Sequence, residues 1–285
     1  MIGLNLQARP AGLQDRQAIS SLIFYENHAH RHLDWRHPLD WLGSPYFWLM
    51  EENGRALAAL ACPPDPPGIA WMRLFAFGGQ VSAVEAWSSL WELARGEIAR
   101  RGGAQVAVIA MQGWMRELLA RTEFDRLQSV VMLEWKGRPV LGPSLPTGVS
   151  LRPLAESDLP AAEQVDAEAF DPLWHISLDN LRRAFSQSVA AAVIESQGRM
   201  LGYQLSTGKP TGAHLARLAV RKEAQGFGLG AALAADLIGQ MRRRGADFIS
   251  VNTQNDNHSS LALYKKMGFI RTGEEHPVFR YLVNA

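Results

Sequence analysis

Short apolar runs in this chain are punctuated by turn residues and by longer segments whose apolar positions recur at helical spacing. Phe47 to Met50 and Leu57 to Leu60 flank Glu52-Asn-Gly54-Arg55, and Val193-Ile194 and Leu201 to Leu205 flank Ser196-Gln-Gly198-Arg199. Apolar runs on either side of a short glycine-containing turn predict two β-hairpins. Further strand-like runs are Trp71 to Phe75, Val106 to Ile109, Leu215 to Val220 and Phe248 to Val251. Between the last two, Gly230 to Arg244 places Leu233, Leu237, Ile238 and Met241 along one stripe. That is the spacing of a helix packed on a sheet, and Gly245 follows as its cap. Each half reads strand, helix, hairpin of two strands, strand, helix, strand, helix, strand, which predicts a mixed α/β fold.

The two halves also resemble each other. Residues 139–148 belong to a stretch rich in turn formers, from Gly137 through Gly142, Pro143 and Pro146 to Gly148, and predict a linker between a domain over 1–138 and a second over 149–285. Across it the chain repeats weakly at an offset of about 144 residues. Ala8-Arg-Pro10 with Asp15 answers Leu151-Arg-Pro153 with Asp158, and Trp71-Met-Arg-Leu-Phe75 answers Leu215-Ala-Arg-Leu-Ala219. Leu118 and Phe124 answer Leu263 and Phe269.

Composition narrows the function classes. With 29 basic and 28 acidic residues the chain carries no field suited to nucleic acid or an anionic membrane. No apolar run reaches membrane-spanning length and no signal peptide is evident, so a cytoplasmic location is expected. The single cysteine, Cys62, rules out an internal disulfide framework. His28, His30, His32 and His37 suggest a metal only if they share one face of a strand. Their surroundings read instead as a helix end running into a loop with Pro38, so no metal site is expected. Eight of the nine tryptophans lie in the first half, most of them accounted for by core packing.

The chemistry concentrates in Gln225-Gly-Phe-Gly-Leu-Gly230, between the strand-like run ending at Val220 and the apolar helix. Glycines at a strand-to-helix turn let a phosphate approach unpaired N–H groups at the positive end of the helix dipole. Ala231-Ala232 follows Gly230, whereas a P-loop needs Lys then Ser or Thr. A dinucleotide fold needs an acidic residue at the far end of the next strand, but Asp247 precedes that strand.

Downstream stands Asn257-His-Ser-Ser260-Leu-Ala-Leu-Tyr264-Lys-Lys-Met-Gly268-Phe269. Together the two segments resemble the GCN5-related N-acetyltransferase (GNAT) superfamily. Its Gln/Arg-x-x-Gly-x-Gly/Ala loop is matched by Gln225, Gly228 and Gly230. Its Asn, small residue, Leu-Tyr and Gly-Phe are matched by Asn257, Ser260, Leu263-Tyr264 and Gly268-Phe269. The resemblance covers roughly residues 150 to 285. It implies an α/β (α+β) fold of two tandem GNAT-like domains, each a mixed, mostly antiparallel twisted sheet flanked by helices.

The resemblance further implies acetyl-CoA as cosubstrate, without a metal, and transfer of acetyl to a small-molecule or peptide amine by a monomer or homodimer. It assigns the pyrophosphate to backbone N–H groups of Gln225, Gly226, Phe227, Gly228, Leu229, Gly230 and Ala231, and the pantetheine arm to Leu218, Ala219 and Val220. Tyr264 would protonate the leaving thiolate, or else simply pack. Asn257 would touch the cofactor, cap a helix, or do both. Many relatives carry a glutamate base on the strand before the glycine loop, but here that strand holds His214 as its only titratable base of suitable pKa. A structural role for His214 stays open, as do Glu168, Asp171, Glu274 and Glu275 as acceptor-side carboxylates. At the repeat offset Gln225 to Gly230 faces Ser82 to Trp87, which has no glycine, so the first domain is expected to be degenerate. A coenzyme-A-binding sensor or scaffold, a different acyl donor, or a hydroxyl acceptor remain alternatives.

Overall fold

The computed structural model describes residues 6–137, 140–209 and 212–285, so Pro139 of the expected linker, with Arg138 before it, lies outside the described residues. The chain divides into two compact units, Met1–Leu127 with His276–Ala285, and Gln128–Glu275.

The first unit contains β1 (Gln7–Pro10), α1 (Arg16–Tyr25), β2 (His28–Arg31), β3 (Phe47–Glu52), β4 (Arg55–Ala61), β5 (Ile69–Trp71), β6 (Leu74–Phe77), α2 (Ala83–Arg100), β7 (Ala104–Ile109), α3 (Gly113–Leu119) and the start of β8 (Asp125–Lys136). Strands β3 and β4 form the expected hairpin, with Asn53 and Gly54 at φ 49° and 78°. Two left-handed residues match the right-handed twist of the strands they join. The sheet order is β1-β3-β4-β6-β2, and β5 pairs in parallel with β7.

Two features of this unit differ from expectation. The run Trp71 to Phe75 is not one strand: the Met72 N–H donates to Ala107 and the Arg73 N–H to Ala61, so the backbone changes partner within one residue. Arg73 is buried there in an ion pair with Asp34. Residues 28–31, expected as a helix end and loop, form strand β2, antiparallel to β6. The histidines behave as packing groups: His28 stacks on Phe77 at 4.5 Å, and fully buried His30 holds the Met72 carbonyl at 3.2 Å. Burial lowers the His30 pKa to about 4. Among the described residues no group of three or more His, Cys, Asp or Glu is placed to hold a metal.

The second unit contains β9 (Val149–Pro153), α4 (Leu159–Ala169), α5 (Leu178–Ser186), β10 (Ser188–Ser196), β11 (Arg199–Lys209), β12 (Gly212–Val220), α6 (Leu229–Arg243), β13 (Phe248–Gln254), α7 (His258–Lys266) and the start of β14 (Ile270–Val283). Helix α5 is an addition to the expected order. Antiparallel pairing links β9, β10, β11 and β12, while β12 and β13 run parallel. The apolar stripe of α6, with Leu237, Ile238 and Met241 fully buried, packs with Leu215, Ile249 and Val251.

The last strand of each half is built into the other unit. Val130–Lys136 of β8 pairs with β13, and Val278–Val283 of β14 pairs with β7. Trp135 is fully buried in the core of the second unit. The repeat is carried down to ion pairs. Arg9 binds Asp15 at 2.8 Å and Glu51 at 2.8 Å, and Arg152 binds Asp158 at 2.7 Å and Glu195 at 2.8 Å. Among the described residues no helix is long and apolar enough to cross a membrane.

Candidate functional site

Strands β12 and β13 pair only from Ala213–Leu215 to Ile249–Val251, yet β12 continues to Val220 and β13 to Gln254. Beyond that point β12 stays bonded to β11 and β13 to β8, so the two neighbours part and leave a cleft. A bulge marks the place: Leu205 faces Arg217 and Ser206 faces Leu215, which leaves Ala216 as the extra residue. A bulge ends local pairing and bends its strand. Along the edge of residues 216–220 that faces β13, backbone groups are available to an added strand.

The glycine loop stands at the open end of that cleft. Gly226 and Gly228 have φ of 84° and 82°, a conformation that side chains other than glycine's resist. Gly228 caps α6, and the first backbone bond of the helix runs from Ala232 N–H to the Gly228 carbonyl. The preceding N–H groups of the turn therefore keep the unpaired state of a helix start. Gly230 answers a packing need: a Cβ there would lie 3.3 Å from Leu263 and 3.6 Å from Leu218. This contact brings together the start of α6, the middle of α7 and the end of β12. The Gln225 side chain turns back to donate to the Val220 carbonyl at 3.0 Å, so it shapes the loop from inside.

Tyr264, on α7, is 5 % exposed, with its ring 5.5 Å from Phe269. Burial pushes the phenol above its ordinary pKa, so it remains a protonated donor. Asn257 caps α7, its Oδ1 accepting from the Ser260 N–H at 3.1 Å. His214, on β12, has its Nδ1 2.9 Å from the Ser250 hydroxyl, and burial lowers its pKa below the ordinary value. Alternation puts His214 on the sheet face opposite Ala213 and Leu215, which pack with α6, so it faces the side of α4. Tyr264 belongs to the α6 side. Tyr264 and His214 thus lie on opposite faces of the sheet.

The carboxylates expected on the acceptor side are distributed differently. Glu168 pairs with buried Arg221, Asp171 is exposed on the segment between α4 and α5, and Glu274 and Glu275 are exposed on β14. Sequence reasoning missed the cluster around Asp166. This fully buried carboxylate accepts from Arg217 at 2.6 and 2.7 Å, from the Tyr203 hydroxyl at 2.7 Å and from the Ile176 N–H at 3.0 Å. Arg217 also donates to the Trp174 carbonyl and lies 3.8 Å from the Phe170 ring centroid. The network ties the segment between α4 and α5 to β12 just past its bulge. An arginine in an otherwise apolar strand run, repeated at Arg73, was the available signal.

Residues 153–269 match the family model described as the acetyltransferase (GNAT) family. Residues 153–269 therefore carry a GNAT-family domain. It is 31% identical over 148 residues to a mycothiol acetyltransferase of Saccharomonospora viridis, covering 45% of this chain and 47% of that protein. A second mycothiol acetyltransferase, from Paenarthrobacter aurescens, is 28% identical over 243 residues, covering 77% of this chain and 69% of the relative. The match thus spans about half the length of the first relative and over two thirds of the second. Among solved structures, a tandem GNAT protein from the clavulanic acid biosynthesis pathway shares the fold with a TM-score of 0.64 at 16% identity, over 99% of both chains. The tandem GNAT fold therefore extends over both halves, although the family model matches only the second.

Proposed function

We propose that the second unit is an acetyl-CoA-dependent N-acetyltransferase that transfers acetyl to an amine. The observation that carries this reading is the parting of β12 and β13 into a cleft that ends on a glycine-lined helix start capped by Gly228. An anionic pyrophosphate fits the N–H groups of Gly226 to Ala231, and an extended amide-bearing arm fits the edge of Leu218 to Val220, where the Val220 carbonyl already accepts from Gln225. Bound acetyl-CoA would supply an activated thioester. The cleft would hold acceptor and donor together, which removes an entropic barrier of several kcal/mol. His214 would withdraw the proton of the attacking amine, and Tyr264 would protonate the departing thiolate. The mycothiol acetyltransferase relatives support acetyl transfer as the reaction class.

The test is thiol release from acetyl-CoA across a panel of amines, amino acids, antibiotics and peptides, with Tyr264→Phe as control. Turnover should fall at least about tenfold in the variant, with affinity for acetyl-CoA little changed. An unaltered rate would leave Tyr264 as a packing residue. Tight binding without thiol release for any acceptor would favour a coenzyme-A sensor, which the lack of a carboxylate on β12 makes the second reading.

A further inference from the structure

His214 stands on a paired rung just before β12 and β13 part, directly opposite Ser250. Residues 250 and 252 alternate with Ile249 and Val251, which pack with α6, so their side chains lie on the same face as His214. The ring is therefore approached from β13 by two polar side chains. Ser250 Oγ lies 2.9 Å from Nδ1, and the Asn252 amide favours the protonated ring. A neutral imidazole has one donor and one acceptor nitrogen, and its partners decide which is which. An amide oxygen beside the ring matches a ring N–H, and a hydroxyl can supply the hydrogen to the other nitrogen.

We propose that the Ser250 hydroxyl donates to Nδ1, that His214 is held as the Nε2–H tautomer, and that it receives the acceptor's proton through Ser250. The role of His214 as base rests on the proposed function; the tautomer does not. The step balances. As the amine nitrogen bonds to the acyl carbon, its proton passes to Ser250 Oγ while the hydroxyl proton passes to Nδ1. Serine ends neutral, imidazole ends as imidazolium, and the C–S electron pair leaves on the thiolate, which takes the proton of Tyr264. Ser250 then touches the substrate, and Asn252 is a positioning residue that holds the ring.

The tautomer can be read on the full chain without any ligand, from long-range proton–nitrogen correlation spectra of protein labelled at its histidine nitrogens. The resonance that His214→Gln removes should show a bare Nδ1 and a protonated Nε2. Ser250→Ala should abolish that preference and Ser250→Thr, which keeps the hydroxyl, should restore it. An Nδ1–H tautomer, or a signal unchanged in Ser250→Ala, overturns the assignment. With acetyl-CoA as probe, Ser250→Ala should lower thiol release about tenfold at unchanged KM, with rescue in Ser250→Thr. The expected tautomer with undiminished turnover in Ser250→Ala overturns the relay. Undiminished turnover in His214→Gln would instead defeat His214 as base, and leave the tautomer result standing.

Discussion

Helices α2 and α6 occupy corresponding places in the two halves, yet their first turns are built in opposite ways. At α6 the cap is Gly228, which has no side chain to answer the leading N–H groups. At α2 the cap is Ser82, whose hydroxyl accepts from the Glu85 N–H at 3.2 Å while the Glu85 carboxylate accepts from the Ser82 N–H at 3.1 Å. This reciprocal box satisfies the orphan donors and leaves a carboxylate where an anion would bind. Hydrogen bonding to Ser82 holds that carboxyl below its ordinary pKa, so it stays charged. Aligned by their caps, Ser82 corresponds to Gly228, three residues earlier than a fixed repeat offset suggests.

The strands leading into these helices differ as well. β12 has a free edge past Leu215, whereas the edge of β6 is occupied by β2 from His28 to Arg31. The first unit thus fills with its own chain the kind of edge that the second leaves open. The same fold can host a ligand or exclude it, depending on who supplies the last strand and the last hydrogen bonds.

The contrast can be broken most forcefully through the shared strands. Trp135 of β8 is fully buried in the second core, and Trp135→Ala should cost about 3–5 kcal/mol in chemical denaturation. A fragment of residues 145–285 lacks Trp135 with Val131 and Leu133, and should fail to fold, whereas 128–275 should fold and bind acetyl-CoA. A soluble, folded 145–285 fragment would sever the dependence of the site on β8.

Acid should weaken the first unit through the strand that closes its edge. His30 titrates at about 4 in the folded chain against an ordinary value of 6.5. Its contribution is fully present above pH 6.5 and is lost as pH falls toward 4, because the unfolded chain takes up the proton first. The loss amounts to about 3 kcal/mol, and His30→Gln should flatten it in urea unfolding followed by tryptophan fluorescence. A pH slope unchanged in that variant would assign acid sensitivity elsewhere.

Calorimetry with acetyl-CoA addresses the two helix starts directly. One site per chain is expected, and Gly228→Trp should weaken it about a hundredfold, since a φ of 82° resists a side chain and a Cβ there would lie 3.3 Å from Pro143, so the loop must shift. Two sites per chain would mean that the box at α2 does not exclude the ligand. The smallest effect is expected at that box: Ser82→Ala should cost about 1 kcal/mol of stability and leave acetyl-CoA affinity unchanged. A changed affinity would give α2 a part in binding.

Much of this was legible in the residues because the determinants are local. Hairpin turns follow from Asn-Gly and Gln-Gly pairs that tolerate positive φ, and α6 follows from an apolar stripe whose period is set by helix geometry. The loop from Gln225 to Gly230 and the segment from Asn257 to Phe269 were likewise found by type and spacing. Other features depend on partners far away in the chain. His28 and His30 have the alternation of a strand, but only pairing with β6 makes residues 28–31 one. Asp166 and Arg217 are 51 residues apart, and no local rule joins them. The destination of β8 and β14 was equally hidden, because an apolar strand carries no mark of which sheet edge will take it. Local sequence set periods, turns and caps; only tertiary structure decided which edges were filled, which charges were paired and which strand stayed open, since those depend on long-range pairing.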